Sequence, residues 1–395
     1  MRKKVLCLII LSLIISSLMS IPALAASSGN LNGILTWTLD DNGTLTISGR
    51  GAMPEWTYSS AMPWWSSKNS IKTIIIEDGV TSIGKYAFYE CYNVKNVTIP
   101  NSVTNISEYA FYYCKNLENI LIPSSVTTIQ SYAFAHCNSF TSIPIPNSVT
   151  SLGGGVFSYC NSLKNIDWTN NIESIPYGTF MYCENLESVT IQNNVRTIGE
   201  SAFYGCNKLS NVKMPCSLRI IYDYAFSNCT ALKSITIPNG VTEIGDEAFS
   251  KCSNLKYLTL PSTLRTVKGY VFYKCSISDV YYGGTEEDWN NVSFYNIGTY
   301  LENATMHYSV KSMDVAYVIK GTETRIKIVL EGQKEGSVIV ASYEDENKLI
   351  DLELLSTTSS LISIVSTPET AKHIKIMWWE FGTLKPYLDA IIIEL

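Results

Sequence analysis

Phenylalanine recurs at Phe88, Phe111, Phe134, Phe157, Phe180, Phe203, Phe226, Phe249 and Phe272, every 23 residues and without an insertion. A cysteine follows each three residues later, at Cys91, Cys114, Cys137, Cys160, Cys183, Cys206, Cys229, Cys252 and Cys275. Further apolar columns share the period, among them Leu117, Ile120, Ile122, Val126 and Ile129 in one unit. The unit reads A-F-x-x-C-x-x-L-x-x-I-x-I-P-x-S-V-x-x-I-x-x-x. Its I-x-I-P segment alternates in and out, as a short strand does. Proline ends that strand because it cannot donate to a ladder. About seven apolar side chains per unit contribute roughly 1.5–3 kcal/mol each on burial. Ordering the backbone costs roughly 1–2 kcal/mol per residue. One unit alone therefore does not fold, whereas stacked units bury each other's faces and share a parallel ladder. The expected fold is a β-rich solenoid of 23-residue units with a parallel sheet, capped at both ends.

Units such as Tyr109-Ala110-Phe111-Tyr112-Tyr113-Cys114-Lys115-Asn116-Leu117-Glu118-Asn119-Ile120-Leu121-Ile122-Pro123-Ser124-Ser125-Val126 resemble the BspA-like leucine-rich repeat family of bacterial secreted and cell-surface proteins. The resemblance covers about residues 71–282. It implies a right-handed leucine-rich repeat solenoid and a binder of proteins, matrix or other cells. Departures are Thr169 and Gln192 in place of proline, the oversized Trp168, Pro144 inside a strand, and Gly153-Gly154-Gly155, expected to loosen one turn. One residue is missing after Cys275. With that deletion allowed, Ile277, Val280 and Tyr282 align with Leu255, Leu258 and Leu260.

The flanks divide the chain further. Arg2, Lys3 and Lys4, an apolar run from Val5 to Met19, and Ala23-Leu24-Ala25 form a secretory signal peptide over residues 1–25, cleaved near Ala25. Its loss takes the net charge from −6 to −9. The mature chain is expected to be secreted or surface-associated, not membrane-spanning, and a monomer; nothing in its charge suits nucleic acid. Residues 26–70 read as a cap, with strands alternating about Asn42-Gly43. Capping is also the expected use of Trp56, Trp64 and Trp65; a carbohydrate platform is the alternative. Residues 283–309 read as the far cap, with Thr285 at the N-cap of a short acidic helix. Residues 310–395 carry short alternating runs of a small β-sandwich-like domain.

Eleven cysteines in an exported chain suggest disulfides, but equivalent solenoid positions stack about 4.7–4.9 Å apart and their side chains point the same way. The column is read as buried, unpaired thiols donating weakly to loop carbonyls. No metal site is expected, since the spacing is 23 and the histidines are only His136, His307 and His373. No cofactor or catalytic constellation appears. Gly79-Val80-Thr81-Ser82-Ile83-Gly84-Lys85 mimics a phosphate loop, but Tyr86 stands where it needs Ser or Thr. The expected protein is not an enzyme but an adhesin-like binder of a host or bacterial surface protein, of matrix or of glycan. A structural envelope spacer is the alternative, and a carbohydrate-active or peptidase accessory protein a remote one.

Two surfaces are candidates for binding. Around the Phe turn sit Tyr86, Tyr89, Tyr109, Tyr112, Tyr113, Tyr132, Tyr159 and Tyr182, wide amphipathic rings of the kind interfaces use. On the strand face sit small polar residues, chief among them Asn119, Asn165, Asp167 and Asn211.

Overall fold

The computed structural model describes residues 25–167, 171–295 and 301–308, with the backbone of seven further strands between 312 and 394. The side chains of Asn119 and Asp167 are not among the described ones, and the signal peptide, Trp168 and Thr169 lie outside the described residues. The described residues between 73 and 308 coil into a parallel-sheet solenoid with almost no helix.

Each coil has three sides. The I-x-I segment makes the first ladder. Ser142–Pro144 pairs in parallel with Asn165–Asp167, Ile143 opposite Ile166, and Ser188–Thr190 pairs with Asn211–Lys213. The second apolar pair of the unit builds another ladder: Thr128–Ile129 pairs in parallel with Asn105–Ile106 on one side and Ser151–Leu152 on the other. The third side is the Phe turn. There the amide of Phe88 donates to Ala110 O at 2.8 Å and that of Phe111 to Ala133 O at 2.8 Å. Coil-to-coil hydrogen bonds on all three sides leave few buried backbone groups unpaired, as an apolar interior demands.

The interior is an aromatic column. The nine phenylalanines are buried and stack in series, from Phe88–Phe111 at 5.2 Å between centroids to Phe249–Phe272 at 6.1 Å. The cysteine column lines it. Eight of the nine thiols are buried, Cys275 is half-buried, and all are free. Cys114 Sγ donates to Phe88 O at 3.3 Å, and the same bond recurs in every later coil to Cys275, which donates to Phe249 O at 3.1 Å. The single-residue deletion near the end is absorbed before the strand: Val280 pairs with Leu258 and Tyr282 with Leu260.

At the N-terminus, Leu35–Asp40 and Thr44–Gly49 form the hairpin, turning at Gly43 with φ +86°. Thr44–Gly49 then runs parallel to Thr73–Ile76 and so starts the first ladder. Ala25–Asn30, read from sequence only as the start of the cap, adds an antiparallel outer strand. Trp64 is fully buried and takes the place of a core phenylalanine, while Trp56 and Trp65 pack half-buried against the core. That burial removes Trp64 from any carbohydrate platform. At the far end Thr285 caps the helix Glu286–Asn290: its Oγ1 accepts from the Asp288 amide, and Asp288 Oδ2 accepts from the Thr285 amide at 2.9 Å. Ser293–Phe294 and Thr305–Tyr308 close the two ladders.

Beyond this, seven strands form two antiparallel sheets. Thr324–Glu331 lies between Ser312–Ile319 and Leu361–Thr367. Gly336–Asp345 lies between Lys348–Thr357 and His373–Glu380, with Ile391–Glu394 at the edge.

Candidate functional site

Two positions of every coil adopt the left-handed conformation. One lies two residues before the core phenylalanine, where Tyr86, Tyr109 and Tyr132 have φ of 60°, 57° and 56°. The other lies two after it, where Tyr113, His136, Tyr159 and Tyr182 have φ of 62°, 61°, 60° and 58°. Non-glycine residues rarely adopt this region. Hydrogen bonds to the next coil hold them there: Glu90 N to Tyr112 O at 2.7 Å, Tyr113 N to Ala135 O at 2.9 Å, His136 N to Ser158 O at 2.8 Å. Gly155, Gly178 and Gly205 fill three of these positions in place of an aromatic residue. Gly155, with φ +62°, therefore keeps the geometry of its neighbours, and the glycine run does not loosen the coil as the sequence suggested.

The fixed backbone aligns the rings into three rows. Tyr86, Tyr109 and Tyr132 stack face to face at 5.3 and 5.2 Å. Tyr89 stacks on Tyr112 at 5.1 Å. Tyr113, His136, Tyr159 and Tyr182 stack at 4.0, 4.3 and 4.8 Å. Edge contacts join the rows, Tyr109 to Tyr112 at 5.3 Å and Tyr112 to Tyr113 at 4.8 Å. All eight tyrosines singled out from the sequence thus lie on one flank, each half-buried.

The sequence reading missed three members of this surface. His136 sits inside the longest row, in the column it shares with Tyr113 and Tyr159, and that shared column was the available signal. Tyr92 meets Tyr113 edge-on at 6.5 Å. Lys115 reaches over both, 5.1 Å from the Tyr92 ring and 5.2 Å from that of Tyr113. Lys68 pairs with Glu90 at 2.5 Å and Lys85 with Glu108 at 2.6 Å, so this end of the flank balances its charges.

Burial keeps these groups neutral. It pushes the Tyr112 phenol up to about 12, helped by the phenols of Tyr113 and Tyr89. It pushes Tyr92 up to about 12, helped by a hydrogen bond with Glu90. His136 is lowered to about 4, by burial first and the Lys115 charge second. The surface therefore presents protonated phenol donors and a neutral imidazole at ordinary pH.

The strand face is different. Asn165 and Asn211 are exposed in their strands, and Leu121 projects with 76% of its surface in solvent. Among the described residues no group of His, Cys, Asp or Glu is placed to hold a metal ion. Nor is any helix there long and apolar enough to cross a membrane.

The sequence pattern of the BspA type leucine rich repeat region matches this chain in six copies, over residues 64–187 and 173–301. The chain belongs to that family. A leucine-rich repeat protein from Bacteroides ovatus is 26% identical with a TM-score of 0.53, covering 70% of this chain and 77% of its own. One from Eubacterium ventriosum is 22% identical with a TM-score of 0.38, over 64% of this chain and 95% of that one. A leucine rich cell surface protein from Faecalibacterium prausnitzii is 24% identical with a TM-score of 0.35, over 68% and 98%. No curated protein matches the sequence.

Proposed function

We propose that this BspA-type repeat protein is exported and works outside the cell as a non-catalytic, adhesin-like binding solenoid. The observation that carries the reading is the tyrosine flank: eight half-buried rings over five consecutive coils, six of them on left-handed backbone. Rigid aromatic residues give large contact area at little entropic cost, and a few of them dominate most interfaces. The partners are a host or bacterial surface protein, matrix or glycan. The basic and apolar leader ending at Ala25 supports export.

The test is a solid-phase assay with fibronectin, fibrinogen, collagen and laminin, beside an array of glycans. Tyr112→Ala with Tyr113→Ala should weaken capture by about 2 kcal/mol or more, roughly thirtyfold, with the fold intact. Asn165→Ala with Asn211→Ala on the strand face should leave capture unchanged. The reverse pattern moves the site to the sheet. Absence of any capture removes the binding reading and leaves the spacer, which the unbroken phenylalanine stack would suit as a stiff rod.

A further inference from the structure

The turn side changes character at one place. The row of Tyr86, Tyr109 and Tyr132 is followed by Gly155 and Gly178 in the next two coils. A Cβ at Gly155 would lie 2.3 Å from the Tyr132 ring, and one at Gly153 would lie 2.2 Å from the Ser131 amide nitrogen. At both positions the neighbouring coil occupies the space a side chain would need. Gly154 differs. A Cβ there would reach Tyr177 O at 3.3 Å and its ring at 3.6 Å, so a side chain would lie across that ring. Without one, Tyr177 remains 44% exposed. Unlike the tyrosines of the flank, it stacks on no other ring among the described residues.

Beside this bare floor runs a shallow groove of about 370 Å³, lined by Glu108, Thr128, Gln130, Ser131, Ser151 and Gly153. Its polar groups are uncharged or neutralised. The Gln130 side-chain oxygen accepts from the Glu108 amide at 3.1 Å, which fixes the carboxamide. Lys85 holds the Glu108 carboxylate at 2.6 Å. The Tyr132 phenol is raised by burial first, then by Tyr177 and Glu108.

We propose that this groove and glycine floor form a saccharide site for a neutral, pyranose-containing glycan. The C–H face of a sugar ring lies on Tyr177, and its hydroxyls exchange hydrogen bonds with Gln130, Ser131, Ser151 and Glu108. A shallow opening dense in small donors and acceptors fits such a ligand. No unpaired cation lines the groove to select an anion, and it has no deep apolar hole for a peptide's anchoring side chain. The assignment rests on the binding function proposed above and names the ligand class at one end of the same flank.

Affinity electrophoresis of the full mature chain tests it, in gels containing a mannan, a β-glucan, a xylan, a polygalacturonate or heparin. The expected result is retardation by at least one neutral polysaccharide, unchanged by added salt because no ion pair forms. Tyr177→Ala and Ser151→Arg, both at exposed positions, should each weaken it by about tenfold or more, with circular dichroism and melting unchanged. Three results overturn the site: no retardation by any neutral polysaccharide, retardation only by the acidic ones, or retardation of both variants equal to that of the unaltered chain. If Tyr112→Ala with Tyr113→Ala loses matrix-protein capture while Tyr177→Ala retains it and no glycan binds, the binding solenoid stands and the saccharide site falls. If no probe of either kind binds, both fall.

Discussion

Trp64 lies nearly parallel to Phe88, with ring centroids 5.9 Å apart and an interplanar angle of 19°, and its indole N–H donates to Ala87 O at 2.9 Å. The phenylalanine column therefore begins in the cap, with a larger ring whose one polar atom is satisfied. Trp37 and Trp56 meet Trp64 edge-on, each at 5.7 Å, and close the column from outside. Trp64→Ala leaves a cavity and an unpaired carbonyl at the end of the stack. It should cost about 3–5 kcal/mol in urea unfolding. Hydrogen exchange should show the loss of protection confined to the cap and the first coils, since each coil depends on its neighbours. A uniform loss along the solenoid would rule out that nearest-neighbour behaviour.

The same reasoning separates two phenylalanines. Phe180 stacks on Phe157 at 5.7 Å and on Phe203 at 5.4 Å, in mid-column. Phe272 has Phe249 on one side, at 6.1 Å, and ends the phenylalanine column. Phe180→Ala should cost about 3–5 kcal/mol and Phe272→Ala less, because an end coil can fray without carrying the rest with it. Equal losses in matched melts would show one rigid unit.

The thiol column makes stability sensitive to alkali. Burial holds Cys91 and Cys160 protonated up to about 12, and the other buried thiols are raised as well. An unfolded thiol ionises near 8.5–9, so above that range only the unfolded chain gains charge. Stability is complete below about pH 8.5. It falls as pH rises toward 12, by about 1.4 kcal/mol per thiol per pH unit. Denaturation midpoints measured between pH 7 and 11 should fall steeply. Replacing one column cysteine by alanine should lower the midpoint at neutral pH but flatten its pH dependence. Native thiol titration should find Cys216 and at most Cys275, which are the accessible members. Disulfides between successive column cysteines would contradict the whole account.

How much of this was legible depended on the length of each signal. The apolar columns repeat many times over, so period, first ladder and buried thiols could be read from residue types alone. The second ladder could not. Nearly all its strands are two residues long, as in Thr128–Ile129, too short for alternation to show. The tyrosine rows were half legible: their columns were visible, but tyrosine does not announce left-handed backbone as glycine does. Gly155, Gly178 and Gly205 in the same columns were the clue. His136 carries no such signal, because its role lies in ring shape, which it shares with Tyr113 and Tyr159.

That shared role gives His136 a distinctive titration. The imidazole lies between two phenol rings, and burial followed by the Lys115 charge lowers it to about 4, against 6.5 for a free histidine. Above pH 6.5 folded and unfolded chains are both neutral there, and stability is complete. As pH falls toward 4 the unfolded chain takes up a proton that the folded one refuses, and stability is lost. An NMR titration should place the His136 midpoint well below 6. His136→Phe keeps the stack and should remove this part of the acid sensitivity. A midpoint at or above 6.5 would show that the ring is not held between its neighbours.

The left-handed positions can be tested away from the binding flank. Asn228 has φ +62°, and its amide donates to Ser250 O at 2.9 Å in the next coil, so the conformation is imposed by the stacking of coils. Asparagine tolerates this region, glycine occupies it without strain, and a β-branched residue does neither. Asn228→Gly should therefore change stability by only a few tenths of a kcal/mol, since relief of backbone strain offsets the greater entropy of the unfolded chain. Asn228→Val should cost about 1–3 kcal/mol, because the valine must either adopt the disfavoured conformation or give up the bond to Ser250. The pair of variants separates backbone conformation from side-chain loss, as both remove the same carboxamide. If urea midpoints show valine no worse than glycine, the coil does not need left-handed backbone at this position, and the alignment of the tyrosine rows would require another cause.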